Sequence, residues 1–352
     1  MVDTLRHQDD ASAIAYQWAL RSFAVREGRH GQAIVPAVAQ FSAWLDCHGT
    51  SVAMTSDGIG TKIEVAERLG QFGSLGFDLV AMVTDDLAAN GVEPVALTNT
   101  LDVDKLDALV VDTLMAGLHA AALRARVAVV GGEIAELGNR VGGWGLGMHC
   151  NWCATAIGLL RPGWHPIDGS ALAVGDAIIA LQSTSFRSNG YTLLRQVLDR
   201  QFGDNWHTET FGDRTWGQWL LDPCQIYAPV VVALRESAFE LHGLAHITGG
   251  GIPNKLGRIL KAKRVGAQLS NLFAPTPAMV EAQRLGEIAD RDAYRNWNMG
   301  NGFLLVVPPE DALRVVQFAE GAGYPAQIAG QIVAEHEIEI ATATGVLTFP
   351  VA

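Results

Sequence analysis

The chain has little cysteine and no excess of positive charge, and both shortages exclude classes of protein. Only 4 of its 352 residues are cysteine, too few for the disulfide framework that holds small secreted domains together. Lysine and arginine number 25 against 37 aspartate and glutamate residues, which gives a formal net charge of −12. Nucleic acids and anionic membranes attract basic surfaces, so this balance argues against both as partners.

The sequence also lacks the marks of export and of membrane insertion. Residues 1–7 do not show the charged and then apolar pattern of a secretory signal. No uninterrupted apolar run reaches the roughly 20 residues that a membrane-spanning helix needs. We therefore expect a cytoplasmic protein that acts on a small-molecule substrate.

Repeats and low-complexity segments are absent as well, which favours ordinary globular domains. Apolar residues make up 49% of the sequence and charged residues 18%, a composition that allows well-buried cores. A single core usually stops growing at about 250–300 residues, so a chain of this length is predicted to form two domains.

One Cys-x-x-Cys pair, Cys150 and Cys153, has His149 beside it and invites a metal or redox interpretation. Residues 147–160 have the pattern of a strand, and a strand would point residues 150 and 153 toward opposite faces. A zinc site needs four ligands, and the sequence contains no second pair. Buried thiols are the simpler interpretation, and the role of this pair is left open.

The most informative segment that is present reads Thr-Ser-Asp-Gly-Ile-Gly-Thr-Lys, at 55–62, directly after the strand-like residues 51–54. Its spacing is not that of a P-loop. Glycines let the backbone approach anionic oxygens, an ammonium neutralises them, and a carboxylate is a hard ligand for Mg²⁺. An ordinary turn after a strand would also fit this segment. The candidate phosphate and metal residues are Asp57, Gly58, Gly60, Thr61 and Lys62.

The hydrophobic pattern predicts the α/β (α+β) fold class, with domains at 1–163 and 167–352. The link, at 161–166, contains two prolines and a glycine. In the first domain the pattern predicts strands at 51–54, 94–98 and 127–130 and helices at 77–90 and 107–125. In the second it predicts strands at 177–181, 302–307 and 325–333 and helices at 190–200, 226–237, 253–262 and 310–322.

Further motifs follow the first in a fixed order, at 76–87, 91–94, 129–133, 188–191 and 246–251. Together these motifs resemble the aminoimidazole ribonucleotide synthetase family, also called phosphoribosylformylglycinamidine cyclo-ligase. The resemblance extends from about residue 54 to about residue 333. It implies a two-domain aminoimidazole ribonucleotide synthetase-like fold. It also implies a homodimer, in which strands of two N-terminal domains close a barrel and the site lies in the cleft beside that interface.

The resemblance implies an ATP-dependent ligase of purine biosynthesis. ATP would phosphorylate the formyl oxygen of formylglycinamidine ribonucleotide, and the neighbouring amidine nitrogen would attack that carbon as phosphate leaves and the imidazole closes. ATP and Mg²⁺ are the implied cofactors. Asp57, Asp86 and Glu133 lie on matching motifs and are the expected Mg²⁺ ligands, with Asp85 as a further oxygen ligand. The expected catalytic residues are Lys62, Asp86 and His246, and the expected cofactor site also includes Gly131 and Gly132.

Two glycine-bearing loops lead into predicted helices, where free backbone N–H groups attract anions. Ordinary helix caps would explain the same residues. His246 is the best histidine for proton transfer or substrate contact, although a satisfied core histidine fits equally well. A third loop contributes Asn298, which could instead shape a turn. The expected substrate-binding residues are Arg187, Ser188, Asn189, Gly190, Thr248, Gly249, Gly250, Gly251 and Asn298.

The chain departs from the family pattern around its ligands. Relatives usually carry a histidine before Ser-Asn-Gly, where this chain has Arg187. We expect Arg187 to bind an anionic group of the acceptor or nucleotide, so that Arg187→Ala would weaken binding and leave thermal stability nearly unchanged. A solvated arginine is the alternative. The family's lysine-bearing opening and glycine-rich lid are not recognisable in 1–50, where 27–31 is the only remnant.

These departures leave two other functions open. One is a paralogue that uses ATP to activate a different amide, carboxylate or phosphate acceptor. The other is a non-catalytic regulatory dimer, against which the retained Asp57, Lys62 and Asp86 argue, because a scaffold without activity has no need of clustered charge.

Overall fold

Two large sheets organise the chain in a computed structural model that describes residues 14, 16–34, 41–47 and 49–351. The first sheet uses residues up to Leu159, and the second begins at Ala177. The proposed lid remnant, 27–31, is described, whereas most of the earlier N-terminal residues fall outside the described part. The domain limits at 1–163 and 167–352 stay a prediction.

The first half contains six strands and four helices among its described residues. The strands are β1 (Gln32–Ile34), β2 (Ala43–Asp46), β3 (Ser51–Gly58), β4 (Glu93–Val103), β5 (Ala128–Glu136) and β6 (Cys150–Leu159). The helices are α1 (16–23), α2 (Ile63–Leu69), α3 (Leu75–Ala88) and α4 (Ala108–Ala125).

The six strands form one sheet in the order β1-β2-β3-β6-β4-β5. β4 and β5 are parallel, and the other neighbours are antiparallel. Along β4 the burial alternates, with Leu97, Asn99 and Leu101 buried and Thr98 and Thr100 exposed. One face of the sheet is therefore covered by helices, and the other lacks a cover within the described chain.

The covering layer consists mainly of α3 and α4, which pack closely on each other. A Cβ atom on Gly76 of α3 would lie 2.2 Å from the backbone nitrogen of Leu118 on α4, so only glycine allows this approach. α3 is almost entirely buried, as expected of a helix between a sheet and a second layer.

By length and composition alone, α4 is long and apolar enough to cross a membrane. Its apolar sequence is interrupted by polar residues, so it does not form an uninterrupted apolar run. It carries Asp112, His119 and Arg124. Leu114 and Leu118 are buried within the core, whereas Leu109 and Leu123 are 79% and 67% exposed. Its buried side belongs to the helical layer on the sheet.

The second half adds a larger sheet and seven helices among the described residues. Its strands are β7 (Ala177–Gln182), β8 (Thr210–Phe211), β9 (Arg214–Thr215), β10 (Gly243–His246), β11 (Gly266–Leu269), β12 (Asn301–Val307), β13 (Ala326–Val333), β14 (Glu337–Thr342) and β15 (Gly345–Pro350). Seven of them form one sheet in the order β10-β12-β7-β13-β11-β14-β15, and β8 and β9 form a separate hairpin. Its helices are α5 (Tyr191–Phe202), α6 (Trp216–Leu220), α7 (Ala228–Glu236), α8 (Gly251–Leu260), α9 (Pro277–Leu285), α10 (Asp290–Asn296) and α11 (Ala312–Gly321).

Each predicted helix and strand is present, and the main differences in their bounds are in strand length. The structure adds elements that the pattern did not predict, among them α2, α6, α9, α10, β10, β11, β14 and β15. β4 was predicted at 94–98 and continues to Val103, and β5 was predicted at 127–130 and continues to Glu136. Polar residues alternate with apolar ones in the continuation of β4, a pattern typical of a strand with one exposed face. The strand over 147–160 is confirmed, with Cys150 buried and Cys153 half-buried on the opposite face.

Candidate active site

α3 carries three carboxylates toward the second half of the chain. Asp78 and Asp85 are seven residues apart, two helical turns, so they share one face, and Asp86 is the next residue. The side chains of Asp78 and Asp85 are 0% exposed, whereas that of Asp86 is 17% exposed. A buried carboxylate needs compensating hydrogen-bond donors. Most of the donors to these three carboxylates belong to the second half of the chain.

Asp78 forms a buried ion pair with Lys62. The Lys62 ammonium lies 2.7 Å from the Asp78 carboxylate and also donates to the backbone carbonyl of Asp222 at 2.5 Å. Asp78 further accepts from the backbone N–H of Cys224 at 3.2 Å and from the Ser188 hydroxyl at 3.3 Å. The lysine predicted to neutralise phosphate is therefore fully buried and bound to internal partners.

Asp85 is compensated by Arg187, which is also fully buried. One terminal nitrogen of Arg187, Nη2, lies 2.9 Å from Asp85, and the other, Nη1, donates to the Gln225 carbonyl at 2.9 Å. The guanidinium lies over the ring of Tyr227 at 4.9 Å. Asp85 accepts two more hydrogen bonds from backbone N–H groups at Tyr227 and Ala228.

These contacts correct two expectations. Arg187 does not face a ligand here, because its guanidinium is enclosed and holds an internal carboxylate; the alternative of a solvated arginine is wrong as well. Asp85 is not available as a metal ligand, because its carboxylate accepts from one side chain and two backbone groups. The positive φ of Arg187, 60°, is a strained backbone conformation that these contacts hold in place.

His246, at the end of β10, connects Arg187 to Asp86. Arg187 Nη2 lies 2.7 Å from His246 Nε2, and His246 Nδ1 lies 2.8 Å from Asp86. An arginine can only donate, so Nε2 must be the unprotonated acceptor and Nδ1 carries the proton that it donates to Asp86. Burial and then the charge of Arg187 hold the pKa of His246 well below its usual value, consistent with a neutral ring.

This arrangement gives His246 a positioning role. Its ring is fully buried and both nitrogens are engaged, so in this structure it orients the Asp86 carboxylate and has no nitrogen left for proton transfer to a substrate.

Asp57 and Asp86 form the accessible acidic part of the site. Asp57 lies near the end of β3 and accepts from the N–H of Gly58 at 2.7 Å. Burial raises the pKa of Asp57 to about 6, and the negative charge of Asp86 adds to this effect. Burial also raises the pKa of Asp86 to about 6, although nearby cations, Lys255 first, oppose the shift. The charge of Asp86 thus disfavours ionisation of Asp57.

Sequence reasoning missed three residues of this region: Asp78, Lys255 and Arg258. Lys255 and Arg258 lie three residues apart on α8 and direct positive charge at Asp86. Both are half-buried. A signal was present for Asp78, which is an acid with apolar neighbours on both sides in a helical run. The pair on α8 follows the triple glycine directly, but nothing in the sequence relates it to Asp57.

The 55–62 segment is divided by burial. Gly60 and Thr61 are exposed at the start of a short 3-10 helix, Gly60–Lys62, whereas Lys62 at its end is buried. A Cβ atom on Gly58 would lie 2.9 Å from the Cys153 sulfur, so this position requires glycine for packing.

The two glycine-bearing loops adjoin each other. Gly190 and Gly250 adopt left-handed conformations immediately before α5 and α8. A Cβ atom on Gly249 would lie 3.3 Å from the side-chain oxygen of Asn189, so the loops are in contact. The carbonyl of Thr248 accepts from the N–H of Gly251 at 2.9 Å. The structure thus brings these predicted residues to one place, at the starts of two helices.

Two other predicted residues lie elsewhere or have internal partners. Asn298 is buried, donates to the Ser185 carbonyl and accepts from Gly300, so it shapes the turn. Glu133, on β5, pairs with Thr100, on β4. In the neighbouring row across the sheet, Gly132 on β5 aligns with Asp57 on β3 through β4 and β6.

Neighbouring rows of a sheet face opposite sides, and three strand spacings are roughly 14 Å. Within one chain, Glu133 therefore does not join Asp57 and Asp86, which corrects the expected trio of metal ligands. Gly131 and Gly132 lie on the same distant strand. Among the residues that the structure describes, no three His, Cys, Asp or Glu side chains cluster closely enough to hold a metal.

Comparisons with known proteins identify the family. Residues 39–157 match the domain described as AIR synthase related protein, N-terminal domain, and residues 173–342 match the C-terminal domain of the same name. The chain belongs to the AIR synthase related family. It is 36% identical over 295 residues to the phosphoribosylformylglycinamidine cyclo-ligase of Thermococcus gammatolerans, which covers 83% of this chain and 82% of that protein. The protein of that name in Methanosarcina acetivorans is 34% identical over 298 residues, with 84% of each chain covered.

Solved structures agree on the fold. HypE in the HypE–HypF complex has a TM-score of 0.63 at 18% identity, covering 89% of this chain and 93% of that one. A thiamine-monophosphate kinase from Stenotrophomonas maltophilia has a TM-score of 0.59 at 19% identity, covering 90% and 94%. A HypE structure in complex with ATP has a TM-score of 0.60 at 18% identity, covering 86% and 84%. The predicted two-domain family fold is confirmed.

The buried pair gives a stability prediction opposite to the one drawn from the sequence. Arg187→Ala leaves the Asp85 carboxylate buried without its counter-charge, so the free energy of unfolding should fall by about 3–5 kcal/mol. Urea denaturation measures the loss. Adding Asp85→Asn to Arg187→Ala should recover part of it, because the stranded charge is removed. Unchanged stability of Arg187→Ala would show that the pair does not support the fold.

Proposed function

We propose that this chain is an ATP-dependent cyclo-ligase that converts formylglycinamidine ribonucleotide into aminoimidazole ribonucleotide, with release of ADP and phosphate. The archaeal relatives named for this activity align with more than four fifths of the chain. The observation that carries the proposal is that the charges of Asp57, Asp86 and Lys255 act on one another, with Lys255 on α8, whose glycine-bearing start adjoins that of α5.

That convergence suits phosphoryl transfer, which depends on positioning and on neutralising charge more than on covalent catalysis. ATP transfers its γ-phosphoryl group to the formyl oxygen, and the bond to ADP breaks. The amidine nitrogen then bonds to the activated carbon, and the bond from that carbon to the phosphate oxygen breaks. Backbone N–H groups at the starts of α5 and α8 are suited to hold anionic oxygens of the ligands.

Mg²⁺ fits the donor set of this site in part. Asp57 and Asp86 supply two carboxylates with pKa values raised to about 6, and a cation would relieve the cost of ionising both. Proteins commonly bind Mg²⁺ through one or two carboxylates, with water and phosphate oxygens completing the shell. When bound, Mg²⁺ would neutralise charge on the transferring phosphoryl group. His246 fixes the orientation of Asp86 for that task.

The structure weakens the reason for preferring a different acceptor. Arg187 suggested a paralogue because it replaces a histidine that relatives carry, but its guanidinium serves Asp85 inside the protein. The exchange therefore does not by itself alter the part of the pocket that the substrate would touch.

We also propose that the protein is cytoplasmic and has no nucleic-acid or membrane partner.

A homodimer completes the proposal. β5 is an edge strand of the described sheet, and its apolar side chains are uncovered: Val129, Val130 and Ile134 are 40%, 69% and 42% exposed. An exposed apolar edge strand is a template for pairing with another strand. A second copy of the chain, pairing along β5 and covering the exposed leucines of α4, would bury this surface.

Activity is tested directly with formylglycinamidine ribonucleotide, ATP and Mg²⁺, by following imidazole formation. The wild type should close the ring, and Asp57→Asn should lose on the order of 10²-fold or more in rate, because a transition-state charge contact is removed. Asp213→Asn, an exposed change in the turn between β8 and β9, is the matched control and should act like the wild type. Full turnover by Asp57→Asn would remove Asp57 from the mechanism.

The raised carboxylate pKa values predict how pH affects stability and metal binding. Both values lie above the ordinary value near 3.9, so the folded chain binds more protons than the unfolded chain between about pH 4 and 6. These groups should therefore lower the free energy of unfolding as pH rises through that window. Mg²⁺ competes with the protons, so its affinity should be about tenfold or more lower at pH 5 than at pH 8.

Calorimetric titration of the ATP-free protein with Mg²⁺ at the two pH values measures this difference. Asp57→Asn should bind Mg²⁺ weakly at both. Equal affinity of the wild type at pH 5 and pH 8 would contradict the assignment of these carboxylates.

The dimer is tested by placing charge on the edge strand. Val130→Lys should convert the wild-type dimer into monomers, because an ammonium in the paired edge would lose its hydration. Sedimentation velocity gives the mass of each species. Val346→Lys is the control, since Val346 is 63% exposed on β15, the edge strand of the other sheet. A monomeric wild type, or a dimeric Val130→Lys variant, would refute this interface.

A further inference from the structure

We propose that Lys255, rather than Lys62, is the lysine that binds the phosphate chain of the nucleotide. This inference rests on the proposed function and names the residue of that same site that neutralises the triphosphate.

The placement of Lys255 is the first observation. It lies on α8, one turn after the helix begins at Gly251, and so stands beside the glycine-bearing loop. Its ammonium lies 6.0 Å from the centre of the Phe41 ring, and the guanidinium of Arg258 lies 5.2 Å from the same ring. Phe41 is buried, and the charged ends of both side chains lie over its ring, on the side of α8 from which they act on Asp86.

The charges around Lys255 are the second observation. Both Asp57 and Asp86 act on its ammonium, and it acts on both of them in return. Among the described residues, however, it forms no ion pair within the 4.0 Å that the other pairs satisfy. Lys255 is thus close to two carboxylates and is not fixed to either, as a cation that must meet a ligand should be.

Lys62 provides the contrast. Its ammonium has two internal partners, Asp78 and the Asp222 carbonyl, and its side chain is 0% exposed. Moving it to a phosphate would leave the Asp78 carboxylate buried without its cation, which costs far more than a surface ion pair contributes. Arg187 is committed to Asp85 in the same way.

Lys62 and Arg187 are committed to enclosed acids, whereas Lys255 on α8 has no ion pair within the described part of the chain and can approach a phosphate held near Asp57 and Asp86. An ammonium there offsets the carboxylates, which would otherwise repel an anionic nucleotide. The attraction between this ammonium and the transferred phosphoryl group becomes stronger as negative charge spreads over that group.

The experiment compares the two lysines in the whole protein. ATP affinity is measured by calorimetry with Mg²⁺ present and without the acceptor, and thermal stability is measured on the same samples. Lys255→Met should weaken ATP binding by about tenfold or more with little change in melting temperature. Lys255→Arg should recover most of the affinity, because a guanidinium also binds phosphate. Lys62→Met should instead lower the melting temperature, because it strands Asp78.

Lys261→Met is the matched control, since Lys261 is an exposed lysine at the C-terminal end of the same helix. It should leave ATP affinity and stability unchanged.

ATP affinity that is unchanged in Lys255→Met would overturn the inference, and so would a wild type that does not bind ATP. If the wild type binds ATP and forms no imidazole, the cyclo-ligase proposal fails, whereas the assignment of Lys255 is still decided by the binding data.

Discussion

The need to compensate negative charge buried on α3 is the constraint on which the two-domain arrangement depends. Asp78 and Asp85 lie in a helix that is almost completely enclosed, where an unpaired carboxylate would be very costly. Lys62 compensates the first, and Arg187, from the second half of the chain, compensates the second. Backbone N–H groups of the second half, before and at the start of α7, supply further hydrogen bonds. Several of the polar contacts that join the halves thus compensate the buried charge of α3.

The same constraint separates the acids that are enclosed and internally paired from the acids that a ligand can reach. Asp85 and Asp86 are adjacent, and on a helix their side chains point about 100° apart. Asp85 is enclosed, whereas Asp86 stays partly exposed and is oriented by His246. Cations that serve the enclosed acids are withdrawn from ligand binding. The accessible acids instead receive positive charge from α8, whose basic side chains lie over the ring of Phe41.

Sheet geometry limits which predicted residues can act together in one chain. Asp57 and Gly132 fall in one cross-strand row, and Glu133 falls in the next row, on the opposite face. β5 is also the strand that exposes apolar side chains at the sheet edge. Glu133 therefore belongs to a different surface from the pair formed by Asp57 and Asp86, although all three lie on motifs that resemble the same family.

The sequence by itself determined the type of the longer elements, because periodicity and turn residues are local properties, whereas the short strands β10 and β11 and the last two strands, β14 and β15, were not predicted. It also predicted Asp57 and Asp86 as site residues, because they lie in motifs that resemble those of the family. Only the tertiary structure decided that Lys62 and Arg187 are internal counter-charges and that Lys255 stands beside the accessible acids. The reason is physical: a residue's chemistry is written in its type, but its availability depends on burial and on partners that are distant in sequence.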